Sequence, residues 1–133
     1  MIYVLDTNAV SDFLKRHTQV SDEIFRALAR HDHLLIPQPV HYELIRSLIR
    51  HNATAQLDRL NKQILPLLEW IAISDDDWLQ AAHFWAATVS TGKQLADVDL
   101  LLAALTQRLN ATLVTADDDF DALLIKRVNW RIG

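Results

Sequence analysis

Acidic residues recur in this 133-residue chain where short apolar runs end or where helices begin. The first run, Ile2-Tyr3-Val4-Leu5, is wholly apolar and β-prone, the pattern of a strand buried on both faces of a parallel sheet. Asp6-Thr7-Asn8 follows at once. In open parallel sheets, ligands sit just beyond the carboxyl ends of strands. Taken alone, the triplet also suits a turn or a helix cap, since all three residue types favour such positions. Glu43 lies on a helix after the second apolar run. Asp97 and Asp99 open a helix that is apolar nearly all round. Asp117 follows Thr115 at the end of a further strand-like run.

In a parallel α/β sheet with right-handed crossovers, strand ends and helix starts share one edge. Four carboxylates meeting there repel one another, and some are pushed toward protonation. Hard divalent cations relieve this, and Mg²⁺ or Mn²⁺ prefers all-oxygen ligands. The chain has no Cys, which excludes thiolate–zinc sites, disulfides and cysteine nucleophiles. Its six His residues show no paired ligand spacing. At a phosphodiester, Mg²⁺ lowers the pKa of a bound water and neutralises charge on the attacked phosphate. The chemistry expected is therefore metal-assisted phosphodiester hydrolysis, with Asn8 and Thr115 as neutral groups orienting waters or carboxylates. Arg46 and Arg50 share a helix face with Glu43, opposite the apolar side. They suit either substrate phosphates or pairing with the acids. His41, near Glu43, is the one histidine that also suits a substrate contact.

The elements that position these groups alternate between strand-like and helical periods, which predicts an α/β domain. Short strands are expected at 2–5, 34–36, 70–73, 111–115 and 128–132. Helical segments are expected at 10–15, from Ser21 to about Arg30, at 40–51, 53–65 and from Ser74 to Gly92. Two more are expected at 96–109 and 122–125. Phe25 is placed on the inner side of the second helix, and Ile49 on the apolar side of the third. Ser74 with Asp77 fits a capping box, so the acids at 75–77 read as helix-start residues rather than metal ligands. Trp78, Ala82, Trp85 and Val89 form an apolar stripe assigned to the core, with an oligomer interface as the other use of such a stripe. Gly92 marks the end of that helix.

Composition narrows the classes further. Half the residues are hydrophobic, enough for one domain with one core spanning 1–133. The two glycines, Gly92 and Gly133, rule out a Gly-rich phosphate loop. A formal charge of −4 predicts no general attraction to nucleic acid, so local basic groups or bound cations must supply it. Lys15-Arg16 and Lys126-Arg127 read as exposed pairs. No apolar run reaches membrane-spanning length and the N-terminus lacks a signal-like pattern, so a cytoplasmic protein with no membrane association is expected.

These motifs together resemble the PIN-domain nucleases, and more narrowly the VapC toxins of bacterial toxin–antitoxin pairs. The residues that carry the resemblance are Asp6-Thr7-Asn8 after the first strand, Glu43-Leu44 on a helix, and Asp99 before Leu102-Ala103-Ala104. Leu113-Val114-Thr115 before Asp117 and Asp119-Phe120 completes it. The resemblance implies a three-layer PIN-like fold, with a central parallel sheet of order 3-2-1-4-5 flanked by helices. It implies a Mg²⁺- or Mn²⁺-dependent endoribonuclease acting on structured RNA such as tRNA or rRNA, a homodimer, and a VapB-like antitoxin partner. Carried over by residue, the catalytic and metal-binding acids are Asp6, Glu43, Asp99 and Asp117. The family's spacing favours Asp99 over Asp97, which becomes a helix cap or a supporting acid. Asp118 and Asp119 are alternatives to Asp117, and Asp119-Phe120 is expected to anchor the loop. Ser47 stands where the family often has Gly.

Two other readings follow from the same residues. A haloacid-dehalogenase-like phosphatase also uses an Asp after the first strand, but it needs a second Asp where this chain has Asn8. A catalytically silent RNA-binding PIN-like domain would retain RNA affinity without turnover, and the presence of all four acids argues against it.

Overall fold

The computed structural model describes residues 1–132. Five parallel strands form one sheet: β1 (Ile2–Leu5), β2 (His33–Pro37), β3 (Glu69–Ile71), β4 (Thr112–Val114) and β5 (Arg127–Val128), in the order β3-β2-β1-β4-β5. β1 is central. Val4 pairs with Leu35 on one side and Leu113 on the other. Helices α1 (Thr7–Leu14) and α2 (Thr18–Ala29) join β1 to β2. Helices α3 (Gln38–Arg50) and α4 (Thr54–Arg59) join β2 to β3, α4 running on through a π-helical turn at Leu60–Ile64. Helices α5 (Asp75–Ser90) and α6 (Asp97–Arg108) join β3 to β4.

The first two crossovers move one way along the sheet and the third moves the other way. Right-handed connections therefore put α1 to α4 on one face and α5 with α6 on the opposite face. The strand order reverses between β1 and β4, and a crevice opens beyond the carboxyl ends of those two strands. Burial holds the layers together. Val4, Leu5, Leu34, Ile36 and Leu113 from the sheet and Val10, Ile24, Val40 and Leu105 from the helices are all almost fully buried. Each such side chain contributes roughly 1.5–3 kcal/mol relative to exposure. In α6 every residue from Leu100 to Thr106 is buried, as its all-round apolar sequence requires.

Several elements depart from the sequence reading. α2 begins at Thr18, because the His17 ring accepts from the Val20 N–H at 3.3 Å and serves as the cap. Phe25 is exposed and meets Phe13 edge to face. Ile49 is also exposed. The largest correction concerns α5. Trp78, Trp85 and Val89 face solvent at 58%, 52% and 45% exposure, while Asp77, Ala81 and Thr88 face inward. Asp77 sets this phase. It completes the capping box with Ser74 and accepts two bonds from the Arg108 guanidinium at 2.7 and 3.0 Å. Drawing Asp77 onto α6 turns the next residue, Trp78, about 100° away from it.

The C-terminal region differs too. A 3₁₀ turn at Asp118–Ala122 replaces the helix expected at 122–125. β5 is only two residues long, because the chain then turns back to bind α1. There the Trp130 ring lies 4.9 Å from Tyr3 and Arg131 pairs with Asp12 at 2.7 Å. Arg127, read as exposed, is largely covered and pairs with Asp118 and Asp121.

Candidate active site

Asp6 leaves the carboxyl end of β1 and caps α1. Its Oδ1 accepts from the Ala9 N–H at 2.7 Å, and only 8% of the residue is exposed. The cap reading and the site reading of Asp6 are therefore both realised, since one oxygen suffices for the helix. Thr7 opens α1, and its hydroxyl donates to Glu43 Oε1 at 2.7 Å. That bond carries Glu43, on α3, toward the end of β1. Asp99 stands in the first turn of α6. Asp117 precedes the 3₁₀ turn. Its N–H donates to the buried Thr115 hydroxyl at 3.1 Å, and its Oδ1 accepts from the Asp119 N–H at 2.9 Å.

Asp6, Glu43, Asp99 and Asp117 line one open cleft, together with Thr7, Asn8, Leu102 and Phe120. The crowding registers in the protonation of Asp99. Burial, and then the charges of Asp117, Glu43 and Asp6, push the Asp99 carboxyl up to about 6. Burial also raises Asp6, although the Thr115 hydroxyl, the Ala9 N–H and the Arg131 charge work against it. These are the signs of a site built for positive charge.

Four carboxylates with no sulfur and no imidazole among them make a hard, all-oxygen donor set, which fits Mg²⁺ or Mn²⁺. Among the described residues, no three His, Asp or Glu side chains form a ready-made cage. Mg²⁺ usually keeps several waters and takes few protein ligands, so an open cleft suits it better than a closed cage.

The other residues singled out from the sequence fall in different places. Asn8 is exposed on the cleft wall and makes no side-chain hydrogen bond among the described residues. The Ala9 N–H and Thr115 hold Asp6 instead. Asp97 is exposed and lines a separate groove beside Trp78 and Trp85. The helix cap there is Ala96, not Asp97. Asp119 pairs with Lys93 at 2.6 Å, and Phe120 anchors the loop at 1% exposure. Arg46 lies 3.6 Å from Glu43 and over the Tyr42 ring, whereas Arg50 is exposed without an ion pair among the described residues. His41 packs edge to face on Trp70 at 4.6 Å, and burial lowers its pKa.

Three contributors have contacts with no signal in the sequence. Thr7 belongs to the Asp6-Thr7-Asn8 motif, but its bond to Glu43 is recognisable only once α3 lies against α1. Lys93 and Arg131 come from distant segments, Arg131 closing the small cavity behind Asp6.

A family model described as PIN domain matches residues 3–124. No curated protein matches the chain by sequence. Among solved structures, the chain is similar to VapBC2 from Rickettsia felis bound to a DNA fragment from their promoter. The identity is 24% over 98% of this chain and 99% of that one, with a TM-score of 0.81. DNA-bound VapBC from Salmonella typhimurium is similar at 17% identity over 98% of each chain, with a TM-score of 0.85. VapC20 from Mycobacterium tuberculosis, described as a sarcin-ricin-loop-cleaving toxin, is similar at 17% identity over 96% of this chain and 98% of that one, with a TM-score of 0.67. At such identities the likeness is one of fold.

Proposed function

The chain belongs to the PIN domain family, and on that premise we propose that it is a Mg²⁺- or Mn²⁺-dependent endoribonuclease, the toxin of a VapBC-type pair. The observation that carries this reading is the convergence of Asp6, Glu43, Asp99 and Asp117 on one cleft at the point where the strand order reverses. A bound divalent cation supplies an activated water and charge neutralisation at a phosphodiester. Asp6, held by a strand and a helix cap, is the most rigid of the four acids. Thr7 orients Glu43. Thr115 and the Asp119 N–H orient Asp117. Asp99, with its raised pKa, is the acid most responsive to a cation, because added positive charge favours its ionised form. Arg46, beside Glu43, and Arg50, one turn further along α3, are the proposed contacts for RNA phosphates.

The substrate proposed is structured RNA, tRNA or rRNA. The structural neighbours named VapBC support a VapB-like antitoxin as partner. The chain acts in the cytoplasm, with residues 1–133 forming one PIN domain. Among the described residues no helix is long and apolar enough to cross a membrane. The chain also works as a homodimer. Trp78, Leu79, Trp85 and Val89 expose a contiguous apolar face on α5 of the kind that marks an interaction site.

The experiment is cleavage of total RNA by the purified chain. Cleavage is expected with Mg²⁺ or Mn²⁺ and is lost on chelation. Asp6→Asn and Asp99→Asn are expected to lower it by roughly 100-fold or more while leaving the fold intact. Full activity in either variant would overturn the assignment of the site.

A further inference from the structure

An acidic cleft in a chain of net charge −4 repels a polyanion, so cations near its walls decide how RNA docks. Most of the nearby cations are held by acids. Arg131 forks onto Asp12, and Arg127 is shared by Asp118 and Asp121. Lys93 differs. It stands in the connection between α5 and α6, directly after Gly92, whose φ of +77° turns the chain off the end of α5. Its Nζ lies 2.6 Å from Asp119 Oδ1, which occupies one of three ammonium donors, and its side chain remains 41% exposed. The N–H of that same Asp119 holds Asp117 Oδ1. Lys93 is therefore anchored beside the Asp117 wall of the cleft, with donors left over for solvent. Arg46 occupies the corresponding position beside Glu43 on the α3 wall.

We propose that Lys93 is a phosphate-binding residue of the RNA site, holding the substrate backbone on the Asp117 side of the cleft. The pairing with Asp119 pre-positions the ammonium, which lowers the entropy lost when a phosphate binds. Lys93 is a binding residue here and takes no part in bond cleavage. The inference rests on the ribonuclease reading given above.

Binding of a fluorescently labelled RNA hairpin to the full chain, in an Asp6→Asn background with Mg²⁺ present, tests it as a function of salt. Asn retains the oxygen that caps α1, so that background keeps its fold. Lys93→Gln is expected to weaken binding about three- to tenfold at low salt and to reduce the slope of log affinity against log salt by about 1. Lys93→Arg is expected to keep both. Unchanged affinity and slope in Lys93→Gln would overturn the proposal. Equal losses in Lys93→Gln and Lys93→Arg, with a lowered thermal midpoint in both, would also overturn it and leave only a structural tether to Asp119. A parent chain that neither binds nor cleaves RNA with Mg²⁺ present would overturn the ribonuclease reading, and this inference with it.

Discussion

Asp99 carries the clearest physical signature of the site. Its carboxyl is raised to about 6, so between the ordinary value of 3.8 and about 6 the folded chain binds a proton that the unfolded chain releases. Its contribution to stability therefore falls as pH rises through that window and is fully unfavourable above it. Asp99→Asn removes this penalty. The variant is expected to melt a few degrees higher than the parent at pH 7 without metal, and at nearly the same temperature at pH 4. Thermal melts of both proteins from pH 4 to 7 check this, and a difference independent of pH would contradict it. The acids themselves were legible in the sequence because they directly follow apolar runs or open helices. Thr115 was legible as a supporting group too, but the contacts of the other helpers were not. Thr7 bonds to Glu43 across 36 positions and Lys93 to Asp119 across 26, and no local pattern encodes such pairs.

At the scale of elements, α5 is the instructive case. Its apolar spacing was legible, but its rotation about its own axis was not. Trp78, Ala82, Trp85 and Val89 form a helical stripe with either side available to the core. The ion pair between Asp77 and Arg108 selects the other side. Burial would raise the Asp77 carboxyl, but the Arg108 guanidinium and the bonds from Ser74 outweigh it and hold the pKa below the usual range. That contribution is present above the unfolded carboxyl pKa and is lost as pH falls through the lower folded value. Asp77→Ala removes the inner half of the capping box and leaves Arg108 unpaired. It is expected to cost about 2–4 kcal/mol in denaturant unfolding at pH 7. A loss below about 0.5 kcal/mol would mean that Asp77 does not set the helix phase. Helix ends were easier to read, since the ends expected at 15, 30, 51 and 109 are the C-cap residues of α1, α2, α3 and α6. With so little glycine, the chain enters the left-handed region at Arg16, His31, Asn52 and Asn110 just beyond helices α1, α2, α3 and α6.

At the scale of the whole molecule, the parallel order β3-β2-β1-β4-β5 agrees with what the resemblance to PIN domains implied. The alternation of short buried strands with helices predicted only an α/β domain, with the acids at strand ends and helix starts sharing one edge. The exposed face of α5 was misassigned for the reason just given, and it now bears on assembly. Trp85→Lys places a charge in the middle of that face without touching the core. The parent is expected to run as a dimer in light-scattering chromatography and the variant as a monomer of about half the mass, with its thermal melt otherwise cooperative. A dimer of unchanged stability in Trp85→Lys would place the contact elsewhere.

The central claim is that four carboxylates from β1, α3, α6 and the end of β4 form one site for a divalent cation. A Mg²⁺ titration of the thermal midpoint tests it most directly. A ligand at ten times its dissociation constant stabilises the folded state by about 1.4 kcal/mol, or roughly 3–5 °C for a chain of this size. The parent is expected to show that rise at millimolar Mg²⁺, and Asp99→Asn to show little of it. No rise in the parent, or an equal rise in Asp99→Asn, would contradict the account.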